Sequence, residues 1–132
     1  MFTLAQINAA HEKVKTGADF PQYMEDLIEL KISTFAIWVA DNHAVYQGVA
    51  NHTLTGPALY DRLPIASTCD KVRFLNFLSI HQQGQTDYLT FCAHCAQTGI
   101  AKWIVDLNNK VCTYYDGDNM LVYQEAIGTT KT

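Results

Sequence analysis

Cys92 and Cys95 are separated by two residues, a spacing at which two thiolates can bind one zinc ion or cycle between dithiol and disulfide. A structural zinc site needs four ligands, and Cys69 and Cys112 stand alone in the sequence. A redox motif places its first cysteine at the start of a helix, whereas Cys92 is predicted about one turn inside a helix. We interpret the pair as buried apolar residues, with a redox-sensitive thiol or a metal ligand as the alternatives. No metal or cofactor is expected.

Two of the five histidines, His11 and His81, are each predicted late in the first helix of one half of the chain. Each precedes a candidate helix cap, Asp19 or Asp87. In the structural interpretation, each ring packs against the sheet and donates to a helix-end carbonyl or to the next cap. In the functional alternative, His11, His81, Asp19 and Asp87 line a cleft between the halves and act as ligands or general bases. These four residues are the candidate ligand-binding site.

Aromatic residues are concentrated near the end of the chain. Tyr114 and Tyr115 are adjacent in a predicted strand, so their side chains point to opposite faces of a sheet. An exposed aromatic row can bind a partner or a small ligand, and pairing between strands is the favoured alternative. The sequence contains no phosphate-binding loop, nucleophile elbow, dinucleotide fingerprint or zinc-protease motif, so no catalytic residues are assigned.

The bulk composition limits the class of protein. A length of 132 residues suits one domain spanning 1–132, and a net charge of −4 without clustered basic residues argues against nucleic acid as a partner. The longest apolar run is far shorter than the roughly 20 residues of a membrane helix. The amino-terminal residues do not resemble a signal peptide, so a cytoplasmic protein with free thiols is expected, without membrane association.

Helical and strand periodicities follow one another in the first half of the chain. Apolar residues recur every three or four positions as far as Ile28, and from Thr34 they recur at every second position. Gly17 is expected to end the first helix. The predicted elements are helices over about 3–15 and from residue 19, and strands over about 34–39, 44–47 and 52–55.

The second half repeats this order of elements. In its first helix, Val72, Leu75 and Leu78 are expected to face the core, with Phe74 and Phe77 as further candidates. Asn108-Asn109 is a candidate for a type I′ hairpin turn. The predicted elements are helices over about 68–82 and 87–97, and strands over about 102–107, 111–115 and 120–125.

The two halves, approximately 3–56 and 68–126, echo each other at an offset of 68 residues. Identities are few, and the order of elements together with the aromatic pairs Phe20/Tyr88 and Phe35/Trp103 carries the comparison. The predicted fold class is therefore α+β, with two helix-helix-strand-strand-strand repeats and an antiparallel sheet covered by helices. The alternative is a coincidence between two similar amphipathic segments.

Several stretches resemble the DUF1398 family of small bacterial proteins, which are often labelled phage envelope protein-like or YbcV/YdfO-like. They are Ala10–Pro21 (AHEKVKTGADFP), Val39–Asp41 (VAD), His81–Tyr88 (HQQGQTDY), Lys102–Leu107 (KWIVDL) and Cys112–Asp116 (CTYYD). The resemblance covers nearly the whole chain. It implies no established activity and no catalytic residues.

Three functions are considered for the chain. The favoured one is a non-enzymatic interaction domain that binds a protein partner or itself, for example by pairing the edge strand 120–125 across a homodimer. The first alternative is a small-molecule-binding protein or enzyme with its site between the repeats. The second alternative is a phage structural or accessory protein, as the family label suggests.

Overall fold

A computed structural model describes residues 2–14 and 19–127. Four α-helices and six strands lie within these ranges, in two helix–helix–strand groups, so the predicted α+β class is confirmed. The elements are α1 (Leu4–His11), α2 (Phe20–Glu29), β1 (Ile32–Trp38), β2 (Ala44–Gly48), β3 (Thr53–Thr55), α3 (Lys71–Gln82), α4 (Tyr88–Gln97), β4 (Ile100–Asp106), β5 (Val111–Asp116) and β6 (Leu121–Ala126).

The six strands form one antiparallel sheet in the order β3-β2-β1-β4-β5-β6. Each group contributes a three-stranded meander, and the meanders join where β1 pairs with β4. Ala36 pairs there with Ile104, its own counterpart at the offset of 68 residues. A pair whose two members are counterparts lies on a local two-fold axis, so a half turn about the centre of the sheet relates the two groups.

The backbone repeats more faithfully than the residue types do. Three pairs of counterparts share a positive φ angle, a conformation imposed by chain geometry and compatible with several residue types. The pairs are Lys31 (73°) and Gly99 (88°), Asn42 (60°) and Lys110 (56°), and Asn51 (63°) and Asn119 (65°).

Side-chain caps fix the starts of α1 and α4. Thr3 forms a capping box with Gln6, and the Asp87 carboxylate accepts from the Thr90 backbone N–H at 2.8 Å. The Asp19 side chain makes no such cap hydrogen bond, although Pro21 occupies the first turn of α2 as predicted. Helix α1 ends at His11, short of the predicted end near residue 15, and Gly17 lies outside the described residues.

The helices and the inward side chains of the sheet share one apolar core. Phe74 and Leu78 are the buried residues of α3, whereas Val72 is 72% exposed, so the prediction that Val72 faces the core was wrong. The reason is the rotation of α3, which directs the ring of Phe74 to within 5.0 Å of the Tyr114 ring. The local sequence pattern offers two apolar stripes, and packing against β5 selects one of them.

The turn between β4 and β5 also differs from the prediction. A type I′ turn requires positive φ at both Asn108 and Asn109, but the left-handed residue in this turn is Lys110. The Asp106 carboxylate accepts hydrogen bonds from the backbone N–H groups of Asn108 and Asn109, both at 3.0 Å. A side-chain acceptor therefore shapes this turn in place of the Asn-Asn pair.

Candidate functional site

The two faces of the sheet differ in burial. On β1, the side chains of Phe35 and Ile37 point to the helices and are buried, whereas Thr34, Ala36 and Trp38 point to the other side and are partly exposed. Strand β4 has the same pattern of burial. We call this second side the open face of the sheet.

Contacts recorded on the open face join its side chains to one another. The Gln124 amide donates to the Thr113 hydroxyl at 2.9 Å, and the Thr34 hydroxyl donates to the Gln47 side-chain carbonyl at 3.4 Å. In the described part of the chain, the buried apolar residues of all four helices belong to the core on the opposite side.

Strand pairing arranges the open face into three rows that run across the sheet. The row at one end of the central strands contains the large side chains and is called the aromatic row, the next is the middle row, and the last is the polar row. The aromatic row is Leu121, Tyr115, Lys102, Trp38 and His43; the middle row is Gln124, Thr113, Ile104, Ala36, Val45 and Thr55; the polar row is Ala126, Val111, Asp106, Thr34, Gln47 and Thr53.

The aromatic row is held together by ring and charge contacts. The His43 ring stacks on Trp38 with centroids 4.8 Å apart. The Lys102 ammonium lies 5.6 Å from the centroid of Trp38 and 5.2 Å from that of Tyr115, and each such cation–π contact stabilises by about 0.5–1 kcal/mol at an exposed site. His43 and Lys102 therefore contact the Trp38 ring from the two neighbouring strands, and Lys102 also contacts the ring of Tyr115.

A hydrogen bond between His43 and Asp41 closes the His43 end of this row. Nδ1 of His43 lies 2.7 Å from the Asp41 carboxylate, which also accepts from the His43 backbone N–H at 3.0 Å. These two hydrogen bonds lower the pKa of Asp41, the side-chain bond contributing most. The carboxylate therefore fixes the orientation of the imidazole that stacks on Trp38.

The aromatic row has no equivalent at the matching positions of the repeat. The counterpart of Trp38 is Asp106, and the counterpart of Tyr115 is Gln47. The half turn that relates the groups therefore maps the aromatic row onto the polar row. Since the same backbone pairing exists at both ends of the sheet, the fold does not require aromatic side chains at either end. This difference marks the aromatic row as the candidate functional site.

Polar side chains under the amino-terminal end of α4 form a second cluster. The Asn42 amide lies 2.7 Å from the Tyr88 hydroxyl and 3.6 Å from the Cys92 sulfur, and the Tyr60 hydroxyl donates to the Val39 carbonyl oxygen at 2.5 Å. The Tyr88 ring is 40% exposed, but its hydroxyl points inward at Asn42, and burial raises its pKa. These groups satisfy one another, so the cluster connects the β1–β2 turn to α4.

The cysteine pair lies in the core. Cys92 and Cys95 are both 0% exposed, which confirms their interpretation as core residues. Burial raises the pKa of both thiols, an effect that keeps them protonated and unreactive. Their counterparts Met24 and Leu27 are buried in the same way. In residues 2–14 and 19–127, no group of three or more potential ligands could hold a metal ion.

The two predicted histidines contact matching aromatic residues in their own halves. His11 makes an edge contact with Tyr23 at 5.4 Å, and His81 stacks on Phe91 at 4.4 Å. Nδ1 of His81 lies 3.1 Å from the Thr86 carbonyl oxygen, and burial lowers the pKa of His81.

Asp87 caps α4 and interacts electrostatically with His81, and Asp19 is the residue before α2. The ring contacts of His11 and of His81 lie in separate halves of the chain. A ligand-binding role for His11, His81, Asp19 and Asp87 stays a prediction.

A small hollow lies beside β2. Phe2, Leu30, Lys31, Val49 and His52 line it, and its volume is about 80 Å³. Small-molecule sites usually have volumes of about 300–1,000 Å³, so this hollow is too small for a typical ligand.

Sequence reasoning missed Trp38, Lys102 and His43 as candidate site residues. The signal that could have found them is the repeat itself, because an aromatic residue and a carboxylate occupy equivalent positions at Trp38 and Asp106. That signal needs the pairing of β1 with β4, which brings Trp38 beside Lys102 and is not visible in either segment alone.

Fold and site together define a duplicated α+β protein with one helix-covered face and one open face. Residues 8–126 match the family described as "Protein of unknown function (DUF1398)", and the chain belongs to this family. The resemblance seen in the sequence is therefore confirmed.

Uncharacterised bacterial proteins are among its relatives. The uncharacterized protein YcgX of Escherichia coli K12 is 21% identical over 120 residues, covering 91% of this chain and 90% of the relative. The uncharacterized protein Rv2012 of Mycobacterium tuberculosis is 28% identical over 97 residues, covering 73% of this chain. The aligned residues span 59% of that mycobacterial relative. In the described residues, the helices are too short or too polar to cross a membrane.

Proposed function

We propose that this protein is a non-enzymatic interaction domain that binds a protein partner through the open face of its sheet. The observation that supports this most directly is the aromatic row, whose counterparts in the repeat are polar. Large aromatic side chains are enriched where protein surfaces meet, and Trp38 and Tyr115 supply two of them in one row.

The geometry of the row favours a protein over a planar ligand or a nucleic acid. A base or another planar ring would need an uncovered aromatic face, but His43 and Lys102 already contact the ring of Trp38 from neighbouring strands. Apart from His43, the three rows carry one cation, Lys102, and one anion, Asp106. Nucleic-acid binding requires several phosphate-neutralising cations, so a protein surface fits better.

Free thiols are consistent with a reducing compartment, and we propose a cytoplasmic location. All four cysteines are unpaired, and Cys92, Cys95 and Cys112 are buried. Unpaired buried cysteines are ordinary in the cytoplasm and uncommon in oxidising compartments.

Site-specific photocrosslinking in bacterial cells tests the proposal. A photoreactive phenylalanine analogue replaces Tyr115 on the open face or, as the matched control, the exposed Val72 on α3. We expect protein adducts from position 115 and few from position 72. Adding Trp38→Ala to the position-115 variant should remove most of the adduct. Equal labelling from both positions, or none from position 115, would contradict binding through the open face.

A further inference from the structure

We infer that the partner is a second copy of this chain, packed open face to open face about a two-fold axis that runs along the rows, across the strands. This inference rests on the proposed function, because it assigns an occupant to the same face. The resulting assembly is a two-layer sandwich in which each copy keeps its helices on the outside.

The direction of the axis follows from the different sizes of the side chains in the rows. A half turn about an axis parallel to the rows places the aromatic row of one copy over the polar row of the other. Trp38 then lies over Thr34 of the other copy, and Tyr115 lies over Val111. Large side chains meet small ones at both ends of the interface, as close packing between layers requires.

The other in-plane axis fits less well. An axis parallel to the strands would place the two aromatic rows against each other and the two polar rows against each other. Contact between the two aromatic rows would push the sheets further apart than the roughly 10 Å of packed sheets. A gap would then remain between the two polar rows. The row-parallel axis has neither defect.

The charges of the open face agree with the same axis. Lys102 and Asp106 both lie on β4, one in the aromatic row and one in the polar row. The proposed half turn places β4 over β4 in reverse direction, so each Lys102 faces Asp106 of the other copy, and the contact occurs twice. Hydrogen bonds from the backbone and side chain of Asn109 lower the pKa of Asp106, which keeps the carboxylate charged at neutral pH.

The middle row is suited to the centre of this interface. Its central residues, Ala36 and Ile104, are apolar, and they lie at the local two-fold axis of the sheet. A six-stranded sheet presents roughly 600 Å² of plane at about 4.8 Å per strand and 3.3 Å per residue. The side chains project from this plane and add surface, so the buried area approaches the approximately 800 Å² per partner of a standard interface.

Sedimentation velocity across a dilution series of the purified chain tests the inference. We expect a dimer, and we expect Ile104→Arg to raise its dissociation constant by at least about 100-fold, because two buried guanidinium groups would meet at the centre. Thr34→Trp places a large ring under Trp38 of the other copy and should weaken the dimer by about 10-fold or more. This second variant keeps the test valid if Ile104→Arg disturbs folding, which circular dichroism monitors. Val72→Arg, on the helix side, is the control and should leave the dimer unchanged.

A double-mutant cycle tests the facing charges. Lys102→Gln and Asp106→Asn each remove one charge, and the amide oxygen at position 106 can still accept the two backbone hydrogen bonds of the turn. If the two residues face each other across the interface, the second neutralisation should add little, so that the double variant weakens the dimer about as much as either single variant. Independent, multiplicative effects would overturn the proposed axis.

The outcomes separate this inference from the proposed function. A chain that stays monomeric at about 100 μM, while position 115 crosslinks to other proteins, overturns the dimer and leaves the binding face in place. A monomer without crosslinks overturns both. A dimer that survives Ile104→Arg and Thr34→Trp, but is lost when Gln124→Pro interrupts the edge strand β6, overturns the face-to-face arrangement in favour of edge pairing.

Discussion

The two ends of the open face are built on the same backbone and carry different chemistry. At one end, Trp38, Lys102 and Tyr115 form a stacked row, and at the other, the counterparts Asp106, Thr34 and Gln47 form a polar one. Within one chain the second end is a natural control for the first. The comparison separates what the scaffold needs, which both ends share, from what a binding surface adds at one end.

The largest expected effect concerns a core position that both halves share. Leu27 and Cys95 are counterparts and are both 0% exposed. Leu27→Ala should lower the free energy of unfolding by about 2–5 kcal/mol, because it leaves a cavity in the core. Cys95→Ala removes one buried heavy atom and should cost about 1 kcal/mol.

Chemical denaturation of both variants measures these changes. If both variants have the m-value of the wild type, both substitutions act on the stability of the folded core. A stabilising effect of Cys95→Ala would contradict a packing role for the thiol.

The next effect uses the left-handed residues after α2 and α4. Gly99 has φ of +88°, and a Cβ atom there would approach the Cys69 Cα to 2.8 Å, so Gly99→Ala should destabilise by about 2–4 kcal/mol. Its counterpart Lys31 has φ of 73°, and Lys31→Gly should stabilise by roughly 0.5–1 kcal/mol by relieving backbone strain. Thermal unfolding should show a lower melting temperature for Gly99→Ala and a higher one for Lys31→Gly. A change in the same direction for both variants would mean that the two turns are not equivalent.

The predictions for the shared core position and for the left-handed residues use features that the sequence analysis located. The bounds of α4, the cap at Asp87, the left-handed Gly99 and the burial of Cys92 and Cys95 all depend on local periodicity or turn chemistry, which a single segment displays. Such features could be predicted because each is determined within about ten residues of chain.

The errors and omissions have a different physical origin. Which stripe of α3 faces inward depends on Tyr114 in β5, and the turn at Asn108 depends on the Asp106 carboxylate rather than on the residues at its tip. The aromatic row depends on Trp38 meeting Lys102, which are far apart in sequence and adjacent only in the sheet. Tertiary pairing decides these features, and local patterns do not contain it.

Exchanging residues between counterparts tests the comparison on the open face. Lys102→Thr and Tyr115→Gln give each position the residue that its counterpart already carries. The double variant should lose about 1–2 kcal/mol of stability, because only the two exposed cation–π contacts disappear. Crosslinking to the partner through a photoreactive residue at position 47 should fall about 10-fold or more. A large stability loss with binding retained would show that the row serves the fold.

The smallest effect is a pH dependence at His81. Burial lowers the pKa of His81 below its ordinary value of 6.5, so the unfolded chain binds a proton more readily at this residue than the folded chain does. Stability from this residue is therefore complete above about pH 6.5 and is lost as the pH falls towards the folded-state pKa.

A variant without this titration checks the sign. His81→Gln should flatten the fall in unfolding free energy between about pH 7 and pH 5, by about 1 kcal/mol or less. Gln83→Asn, at the end of α3, is the control and should keep the wild-type slope, because its side-chain hydrogen bonds go to Ser79 and Gln85, which do not titrate. An unchanged slope in His81→Gln would assign the acid sensitivity to other groups.

The pairing of Ala36 with Ile104 at the centre of the sheet also bears on how such a molecule can arise. Two separate chains of half this length, joined through the same strand, would form an equivalent sheet with identical ends. Any substitution in such an assembly appears at both ends at once. Covalent fusion removes that constraint, so a tryptophan can be acquired at one end while the other retains a carboxylate.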